Sequence, residues 1–375
     1  MGEKPAYKAV TKPRREDERQ QHVGKKEGRL SMLYVGIDVG KERLEVATWV
    51  AGASRGRQLG SVANRQGGWR QLGKQLRRIC KREKLAEVQL LLEPTGGYEL
   101  GLVAYGHAQG WRVTVVNPSQ VRNWARGIGN RVKTDREDAL LLARYGAEQQ
   151  PAPQQPVPAE VQALDSLLSR REDLKKLLRA ERNRLDTLQQ RPGVPAAVKT
   201  SVERTIAMLQ QEAEAIEEAI QDHIDQDPDL QDKVRRLRSV PGIGPRNVLP
   251  LLLLFLRWEL LTGGQGDAKG LTAYVGLDPQ PYESGRSVLR RATISRMGNG
   301  MFRHQLFLAA LGGVRGQNPL RAFYQRLVER GKVKKLALVA AARKVLVWGW
   351  TIFINNTQFD ASLHQQEAPQ AAITY

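Results

Sequence analysis

Cysteine is almost absent from this sequence: one cysteine, Cys80, occurs in 375 residues. A single cysteine excludes an internal disulfide and a zinc site built from cysteines. A chain of this kind fits a reducing compartment. Aromatic residues are also sparse, at 6%, although 41% of the residues are hydrophobic. The chain is therefore able to bury a core, and its length is enough for two or three domains.

Long hydrophobic runs are missing as well. The longest, "VLPLLLLFL" from Val248, has about half the length that a membrane-spanning helix needs, so we interpret it as a buried helix. The N-terminus carries Lys4, Lys8 and Lys12 with no apolar segment behind them, which argues against a signal peptide. We expect a cytoplasmic, nucleoid-associated protein with no membrane partner.

Acidic residues are outnumbered by basic ones. The chain has 39 Asp and Glu against 59 Lys and Arg, a formal net charge of +20, and a pI near 10.2. A protein with this balance usually meets a polyanion, and nucleic acid is the first candidate. The alternative is a basic protein that its charge merely keeps soluble.

The positive charge is concentrated rather than spread along the chain. Residues 281–344 contain fourteen Lys and Arg but only two acids, Glu283 and Glu329. This concentration favours a surface that binds phosphates over diffuse solubility. The basic residues of the segment are Arg286, Arg290, Arg291, Arg296, Arg303, Arg315, Arg321, Arg326, Arg330, Lys332, Lys334, Lys335, Arg343 and Lys344. The first five of these, with Lys133 further upstream, are our candidate nucleic-acid contacts.

Changes in sequence texture predict the domain organisation. Residues 1–31 are polar and aperiodic, which predicts a disordered basic tail. Over 32–148, short apolar strands such as "MLYVGIDVG" and "VQLLLEP" alternate with amphipathic helices, so we expect an α/β domain with a mixed sheet. The Pro- and Gln-rich stretch 149–158 reads as a linker.

The second half of the chain is predicted to be mainly helical. Residues 159–232 predict a helical hairpin or coiled-coil arm, because apolar residues recur at alternating steps of three and four. The C-terminal domain spans 233–355, and a tail follows over 356–375. The "SVPGIGP" turn of the C-terminal domain resembles a helix-hairpin-helix, which points backbone N–H groups at phosphate. The apolar stripe of the hairpin consists of Val202, Ile206, Leu209, Ala213, Ile216 and Ile220.

Four carboxylates are the candidate catalytic groups. Asp38 in "GIDVGK" and Glu93 in "LEPTGGY" follow buried strands, and ligands of open α/β sheets sit at that edge. Asp135 and Asp138 in "KTDREDA" are three residues apart and share one face of a helix. Each has a structural alternative, such as a favourable contact with the helix dipole or an ion pair with a nearby Lys or Arg.

Four acids that converge on one point repel each other unless a divalent cation neutralises them. Mg²⁺ prefers oxygen ligands and keeps phosphate as a partner, and two such ions clamp the attacking and leaving oxygens in phosphoryl transfer. The sequence therefore predicts a magnesium site, with two ions, formed by these acids.

With these motifs the sequence resembles a known family, the DEDD transposases of bacterial insertion sequences. Members of that family are recombinases guided by a bridge RNA. The resemblance covers about residues 32–355. It includes "GIDVGK", "LEPTGGY" and "KTDREDA" in the first half. In the second half it includes "VPGIGP", "YVGLDPQPYESG" and "ISRMGNGMFRHQL". Several separate motifs in the family's order make the match specific.

The resemblance implies a fold, a mechanism and partners. The N-terminal domain is expected to be a RuvC-type, RNase H-like domain whose four metal-binding acids are Asp38, Glu93, Asp135 and Asp138. The C-terminal domain is expected to supply a serine nucleophile, Ser284 of "YESGR", on an exposed loop. The implied reaction joins a donor element to target DNA through a covalent phosphoserine. The implied partners are a structured RNA and further copies of the chain, as a tetramer.

The residues alone leave alternatives open. A hydrolytic RNase H-like nuclease, such as a junction resolvase, would use the same acids without a covalent intermediate, and Tyr282 is a second candidate nucleophile. The motif "GIDVGK" also suggests an ATP-binding kinase-like fold, but the sequence lacks the further motifs of that fold. A nucleic-acid-binding protein with an inactive catalytic site is disfavoured because all four acids are present in the sequence. Nothing in the residues separates an RNA partner from duplex DNA.

Overall fold

A computed structural model describes residues 32–129, 134–284 and 288–364 of the chain, with the backbone alone over 281–284 and 288–292. The predicted tail 1–31 and the last eleven residues of the predicted tail 356–375 lie outside the described residues. The chain divides into two units between Gln154 and Gln155, and each unit is described by itself.

The N-terminal unit is built on a five-stranded sheet. Its order is β3-β2-β1-β4-β5. β1 pairs antiparallel with β2, and β2 with β3, whereas β4 runs parallel to both β1 and β5. The predicted mixed sheet is confirmed, and this arrangement fits the expected RNase H-like domain. The strands are β1 (Met32–Val39), β2 (Arg43–Val50), β3 (Arg57–Ala63), β4 (Glu87–Leu92) and β5 (Arg112–Val115).

Helices cover both faces of this sheet. One core cluster joins Val35 and Ile37 of β1 to Leu72 of α1 and Leu102 of α2. Because side chains alternate along a strand, Tyr34 of β1 belongs to the opposite face, where it packs with residues of α3 and α4. The helices are α1 (Gln66–Glu83), α2 (Leu100–Ala108), α3 (Pro118–Gly127) and α4 (Asp135–Gln149).

Two glycines set α4 directly against the sheet. A Cβ atom on Gly36 of β1 would stand 2.0 Å from the Ala139 carbonyl oxygen and 2.3 Å from the Ala143 nitrogen. Nearer the end of α4, a Cβ on Gly146 would meet the side chains of Leu91 and Tyr34 at 2.5 and 2.8 Å. The helix therefore runs antiparallel to β1, and its N-terminal turn lies towards the end of β1 that carries Asp38.

This close approach predicts a large effect of one methyl group. We expect Gly36→Ala to destabilise the N-terminal unit by about 3 kcal/mol or more, because the added Cβ meets backbone atoms that cannot move without displacing α4. The matched control is Gly67→Ala in α1, where an added Cβ meets nothing within 4 Å; it should be neutral or slightly stabilising. Urea unfolding of the two variants measures the difference, and equal stability would contradict the packing described.

Part of the predicted linker is attached to the sheet. Gln154 forms a bridge with Val113 of β5, its backbone N–H donating to the Val113 carbonyl at 2.8 Å. Gln89 of β4 donates to the Pro151 carbonyl at 2.7 Å. Residues 150–154 therefore extend the edge of the sheet, and Gln155–Pro158 connect to the next helix.

The C-terminal unit begins with two long helices, α5 (Ala159–Gln190) and α6 (Ala196–Asp225). They run antiparallel, because Glu160 near the start of α5 contacts His223 near the end of α6, and Arg171 faces Glu217. Three residues of the predicted stripe, Val202, Leu209 and Ile220, are buried. The start of α5 and the end of α6 belong to the main C-terminal core. They contribute Val161, Leu164, Leu168, Ile220 and Ile224 to it.

Six further α-helices, one hairpin and a short 3-10 helix (Ser362–His364) follow in the described part of this unit. α8 contributes a fully buried run from Val248 to Leu256, so the run "VLPLLLLFL" is a core helix as predicted. The helices are α7 (Pro228–Leu237), α8 (Val248–Thr262), α9 (Ala268–Val275), α10 (Gly300–Gly313), α11 (Pro319–Glu329) and α12 (Lys334–Asn355). The strands are β6 (Pro279–Ser284) and β7 (Val288–Ile294), which pair antiparallel.

One helix in the described part of the chain, α12, is long and apolar enough to cross a membrane by length and composition. Buried positions make up 56% of its apolar window. Trp350 and Phe353 of α12 contact Phe255 of α8. Its apolar character is thus explained by its place in the C-terminal core.

The "SVPGIGP" segment forms the connection between α7 and α8. A Cβ on Gly242 would stand 2.3 Å from the Ala309 carbonyl oxygen of α10, and the buried Asn247 side chain donates to the Gly242 carbonyl. This part of the turn therefore packs on protein. Gly244 has open space beside it, and phosphate binding there stays a prediction.

Candidate active site

Three carboxylate positions form a row across the sheet. Asp38 of β1 is the direct cross-strand partner of Glu45 on β2. On the other side, β1 and β4 are in register up to Ile37 opposite Leu92, and Glu93 directly follows Leu92, the last residue of β4. By alternation Asp38 shares a face with Gly36, and Glu93 with Leu91, which is the face that α4 covers.

The N-terminal turn of α4 stands over this row. The turn is fixed by Thr134, whose hydroxyl accepts from the Glu137 N–H at 3.3 Å. At helical spacing, Asp135 and Asp138 continue the face that α4 turns to the sheet. Asp138 is half-buried and Asp135 exposed. The buried residues of that face are Ala139, Leu142, Ala143 and Gly146.

The backbone thus brings the four predicted acids to one end of the sheet, but their side chains do not enclose an ion. Among the described residues, no three His, Cys, Asp or Glu side chains form a group that could hold a metal. Asp38, Glu93 and Asp138 each interact with other groups in the structure.

A buried acid that sequence reasoning missed shapes the loop after Glu93. Glu99 is 7% exposed, and its Oε2 accepts from the N–H groups of Thr95 and Gly97, both at 3.0 Å. The Thr95 hydroxyl in turn donates to the Glu93 carbonyl at 3.1 Å. The short spacing from Thr95 to Glu99 in "TGGYE" was the available signal for a carboxylate that caps this loop.

Glu45 is the second residue that sequence reasoning missed. Its Oε2 is buried and has no hydrogen-bond partner, although Glu45 stands beside Asp38 in the row. A glutamate inside the apolar strand "RLEVATWV" was a weak signal by itself. Its position next to Asp38 follows only from the register of β1 and β2.

In the described part of the N-terminal unit, the cysteine and the histidine lie away from this row. Cys80 of α1 packs against the core on the opposite face of the sheet, and burial raises the pKa of its thiol. His107 belongs to α2, which covers the same opposite face, and burial lowers the pKa of its imidazole. Neither is positioned to act beside Asp38.

In the C-terminal unit, the candidate nucleophile is part of a hairpin rather than a long loop. The backbone of Ser284 ends β6 and pairs with Val288 of β7, and Tyr282 lies two residues earlier on the same strand, opposite Arg290. The structure therefore places Ser284 at the end of a strand, where the sequence suggested an exposed loop. The β-branched residues Val288, Thr293 and Ile294 in "VLRRATI" favour this second strand.

The base of the hairpin is tied to the end of α9. Gly298 lies against α9, since an added Cβ would stand 2.0 Å from the Tyr274 carbonyl oxygen. Arg303 donates from Nη1 to the carbonyls of Val275 and Gly298 at 2.9 and 2.5 Å. The Ser295 hydroxyl bonds to the Asp278 carboxylate. These contacts fix where the Ser284 strand emerges.

The predicted nucleic-acid contacts fall into three groups. Lys133 and Arg286 lie outside the described residues, and Arg290 and Arg291 are placed on β7 by their backbone alone. Arg296 is exposed, whereas the guanidinium of Arg303 is engaged with backbone carbonyls. Further exposed basic residues lie around the junction of α11 and α12, namely Arg330, Lys332, Lys334 and Lys335.

Known protein families and proteins match this chain over nearly its whole length. A family model described as "Transposase", for the DEDD transposases of IS110 elements, matches residues 35–191. A second, described as "Transposase IS116/IS110/IS902 family", matches residues 234–325. The "Pilin gene-inverting protein" of Moraxella bovis is 30% identical over 346 residues, which are 90% of this chain and 100% of that protein. The protein of the same name from Moraxella lacunata matches equally.

Among solved structures, the chain is similar to "T. thermophilus RuvC in complex with Holliday junction substrate". That match has 20% sequence identity and a TM-score of 0.24, and it covers 32% of this chain and 99% of the RuvC chain. The family models and the full-length Moraxella relatives identify the chain without it: the protein belongs to the IS110 family of DEDD transposases and is a DNA transposase or recombinase.

Proposed function

We propose that this transposase cuts and rejoins DNA by phosphoryl transfer at the carboxylate end of its N-terminal sheet, with Mg²⁺ as cofactor. The observation that carries the proposal is the placement of Asp38 and Glu93 at the carboxyl ends of two neighbouring parallel strands. α4 is held over them by its contact with Gly36, so Asp135 and Asp138 approach from above.

The residues present fit a hard divalent cation. All the donors at this edge are carboxylates, which suit Mg²⁺ better than softer metals. Glu45 Oε2 is buried there without a hydrogen-bond partner, and a cation would satisfy it. When bound, Mg²⁺ would activate the attacking oxygen and neutralise charge on the phosphate, and a pair of ions would act on both the attacking and the leaving oxygen.

Within this proposal each group of residues has a separate task. Asp38, Glu93 and Asp138 hold the cation, and Asp135 adds a fourth oxygen donor at the exposed rim. The loop held by Glu99 keeps the Glu93 backbone in place. The basic segment 281–344 binds the DNA backbone, which positions the scissile phosphate without reading its sequence.

We propose Ser284 as the nucleophile of a covalent mechanism. Its hydroxyl would lose a proton and form a bond from Oγ to the scissile phosphorus, while the bond from phosphorus to a deoxyribose oxygen breaks and that oxygen takes up a proton. A DNA hydroxyl from the other strand end would then attack the phosphoserine and release Ser284. One phosphodiester is exchanged for another, so the reaction needs no external energy source.

The partners of the reaction are proposed on two grounds. Donor and target DNA are supported by membership of the transposase family. A structured bridge RNA that pairs with both DNAs, and a tetrameric assembly, are supported by the motif resemblance alone.

A purely hydrolytic nuclease is the alternative function. The relatives in Moraxella are named for the inversion of a gene, an outcome that requires strands to be cut and joined again rather than hydrolysed. That outcome favours recombination for this chain, which aligns with the full length of those relatives.

The test of the proposed function is metal-dependent joining. Protein purified from cells that carry its complete element, so that any RNA co-purifies, should form junctions between element ends and target DNA in Mg²⁺. EDTA should abolish junctions, and added Mg²⁺ or Mn²⁺ should restore them. Junctions are quantified by amplification across the new joint. Undiminished joining in EDTA would refute the metal site, and nicked DNA with no junctions would favour the nuclease.

A further inference from the structure

Glu45 occupies a position that the four-acid motif does not include. On β2 it lies directly opposite Asp38, and cross-strand partners have Cα atoms about 4.5 to 5.5 Å apart with their side chains on the same face. Glu45 and Asp38 therefore stand side by side on β2 and β1, and Glu93 directly follows the end of β4, the other neighbour of β1. Glu45 comes from the strand that the motif leaves unused.

The surroundings of Glu45 make a carboxylate costly there. Like charges directly opposite each other on a sheet are destabilising, and a buried oxygen without a hydrogen bond adds a desolvation cost. Arg43, two residues earlier on the same face of β2, does not relieve it, since its Nε donates to the Ser61 hydroxyl at 2.8 Å. Among the described residues, Glu45 Oε2 has no hydrogen-bond partner.

We propose that Glu45 is a fifth carboxylate of the metal site, with Oε2 contributing to the shell of the cation that Asp38 binds. This inference rests on the proposed function, because it requires a divalent cation beside Asp38. Oε2 ligates the cation directly or through one of its waters, both of which suit Mg²⁺, an ion that takes six ligands and keeps several waters.

The arrangement divides the work between strands. Asp38 is the central residue, with Glu45 opposite it on β2 and Glu93 after the end of β4 on the other side, so acids lie on both sides of Asp38. Glu45 acts from a β-hairpin strand whose register with β1 is continuous from Leu33 to Val39. Its backbone position is therefore fixed by the sheet before any metal binds.

The experiment measures metal affinity rather than activity. Mn²⁺ is titrated into the full-length chain by calorimetry, with free Mn²⁺ followed by electron paramagnetic resonance. We expect Glu45→Gln to weaken Mn²⁺ binding about tenfold or more, as loss of a supporting carboxylate does at other metal sites. Glu45→Asp keeps the charge but shortens the side chain by one methylene. Its Mn²⁺ affinity should lie between those of the unaltered chain and Glu45→Gln. Glu87→Gln, at the opposite end of the sheet, should change affinity less than twofold.

The outcomes separate this inference from the proposed function. Asp38→Asn is the reference variant and should lower affinity at least as much as Glu45→Gln. Unchanged Mn²⁺ affinity in Glu45→Gln, with a loss in Asp38→Asn, would overturn the role of Glu45 and leave the proposed site standing. Unchanged affinity in both, or no Mn²⁺ binding by the unaltered chain, would overturn the site itself. Circular dichroism checks folding, and if Glu45→Gln unfolds, the comparison rests on Glu45→Asp, for which unaltered affinity would be equally decisive.

Discussion

Asp138→Asn is expected to reduce DNA joining on the order of a thousandfold or more while the chain remains folded. Asparagine keeps the size and one oxygen of the side chain but removes its negative charge. A metal ion contributes several kcal/mol of transition-state stabilisation, and each 1.36 kcal/mol corresponds to about a factor of ten in rate. If the carboxylates hold the ion as proposed, its loss removes most of the rate.

The matched control for Asp138→Asn is its neighbour on the same helical turn. Glu137→Gln makes the same chemical change, but residue 137 is rotated by about 100° around the helix, away from the face formed by Ala139 and Leu142. We expect it to retain joining within about threefold, because residue 137 does not lie on the helix face that is turned to the sheet. Element junctions formed in cells from a donor and a target plasmid, counted by quantitative amplification, measure both variants.

The comparison between these two variants is informative in both directions. If Asp138→Asn joins DNA as well as the unaltered chain, the acid face of α4 has no catalytic role, and the structural interpretation of the motif as a charged helix start is correct. Equal losses in both variants would indicate that the N-terminal turn of α4 tolerates no loss of charge. Thermal unfolding of each purified variant separates that case from a catalytic effect.

The order of strands and helices in the N-terminal unit could be predicted because each element carries a local signal. Buried strands such as "MLYVGIDV" and "EVQLLL" have continuous apolar runs, and amphipathic helices separate them. Their ends were visible from Gly40 and Pro94, so the placement of Asp38 and Glu93 at strand ends was also predictable. The contact between Gly36 and α4 was not, because a glycine that admits a helix looks the same in sequence as one that ends a turn.

What the sequence could not supply is register and the pairing of distant segments. Glu45 gains its meaning only from the residue opposite it, and a shift of one residue would turn it to the other face. The attachment of Gln154 to β5 was hidden for the same reason, since a Pro- and Gln-rich stretch has no periodicity. In the C-terminal unit, "PQPYES" begins with proline and carries polar residues, so its strand depends on pairing with β7 rather than on its own propensity.

The second large effect is expected at Ser284. Incubation of the protein with labelled element-end DNA and Mg²⁺ should yield a covalent protein–DNA adduct that migrates with the protein in denaturing gels. Ser284→Ala should abolish the adduct and the junctions together, because alanine has no oxygen to bond to phosphorus. Tyr282→Phe, which removes the other candidate oxygen on the same strand, should retain both.

A nearby serine supplies a matched control for Ser284→Ala. Ser295, whose hydroxyl is bound to Asp278 at the base of the hairpin, should tolerate substitution by alanine with the adduct preserved, although the hairpin would be held less firmly. An adduct that persists in Ser284→Ala but disappears in Tyr282→Phe would reassign the nucleophile to the tyrosine. Cleaved DNA without an adduct in the unaltered chain would instead identify a water nucleophile and the hydrolytic alternative.

The two large effects also constrain each other. A serine hydroxyl is a weak nucleophile at its ordinary pKa and needs a base or a metal ion for activation. If the carboxylate site supplies that activation, Asp138→Asn should lose the adduct even though Ser284 is intact. If Asp138→Asn still forms the adduct but not the junction, the serine is activated elsewhere and the carboxylates act only in the second transfer. Adduct and junction yields from the same samples therefore decide whether the acids and the serine serve one chemical step or two.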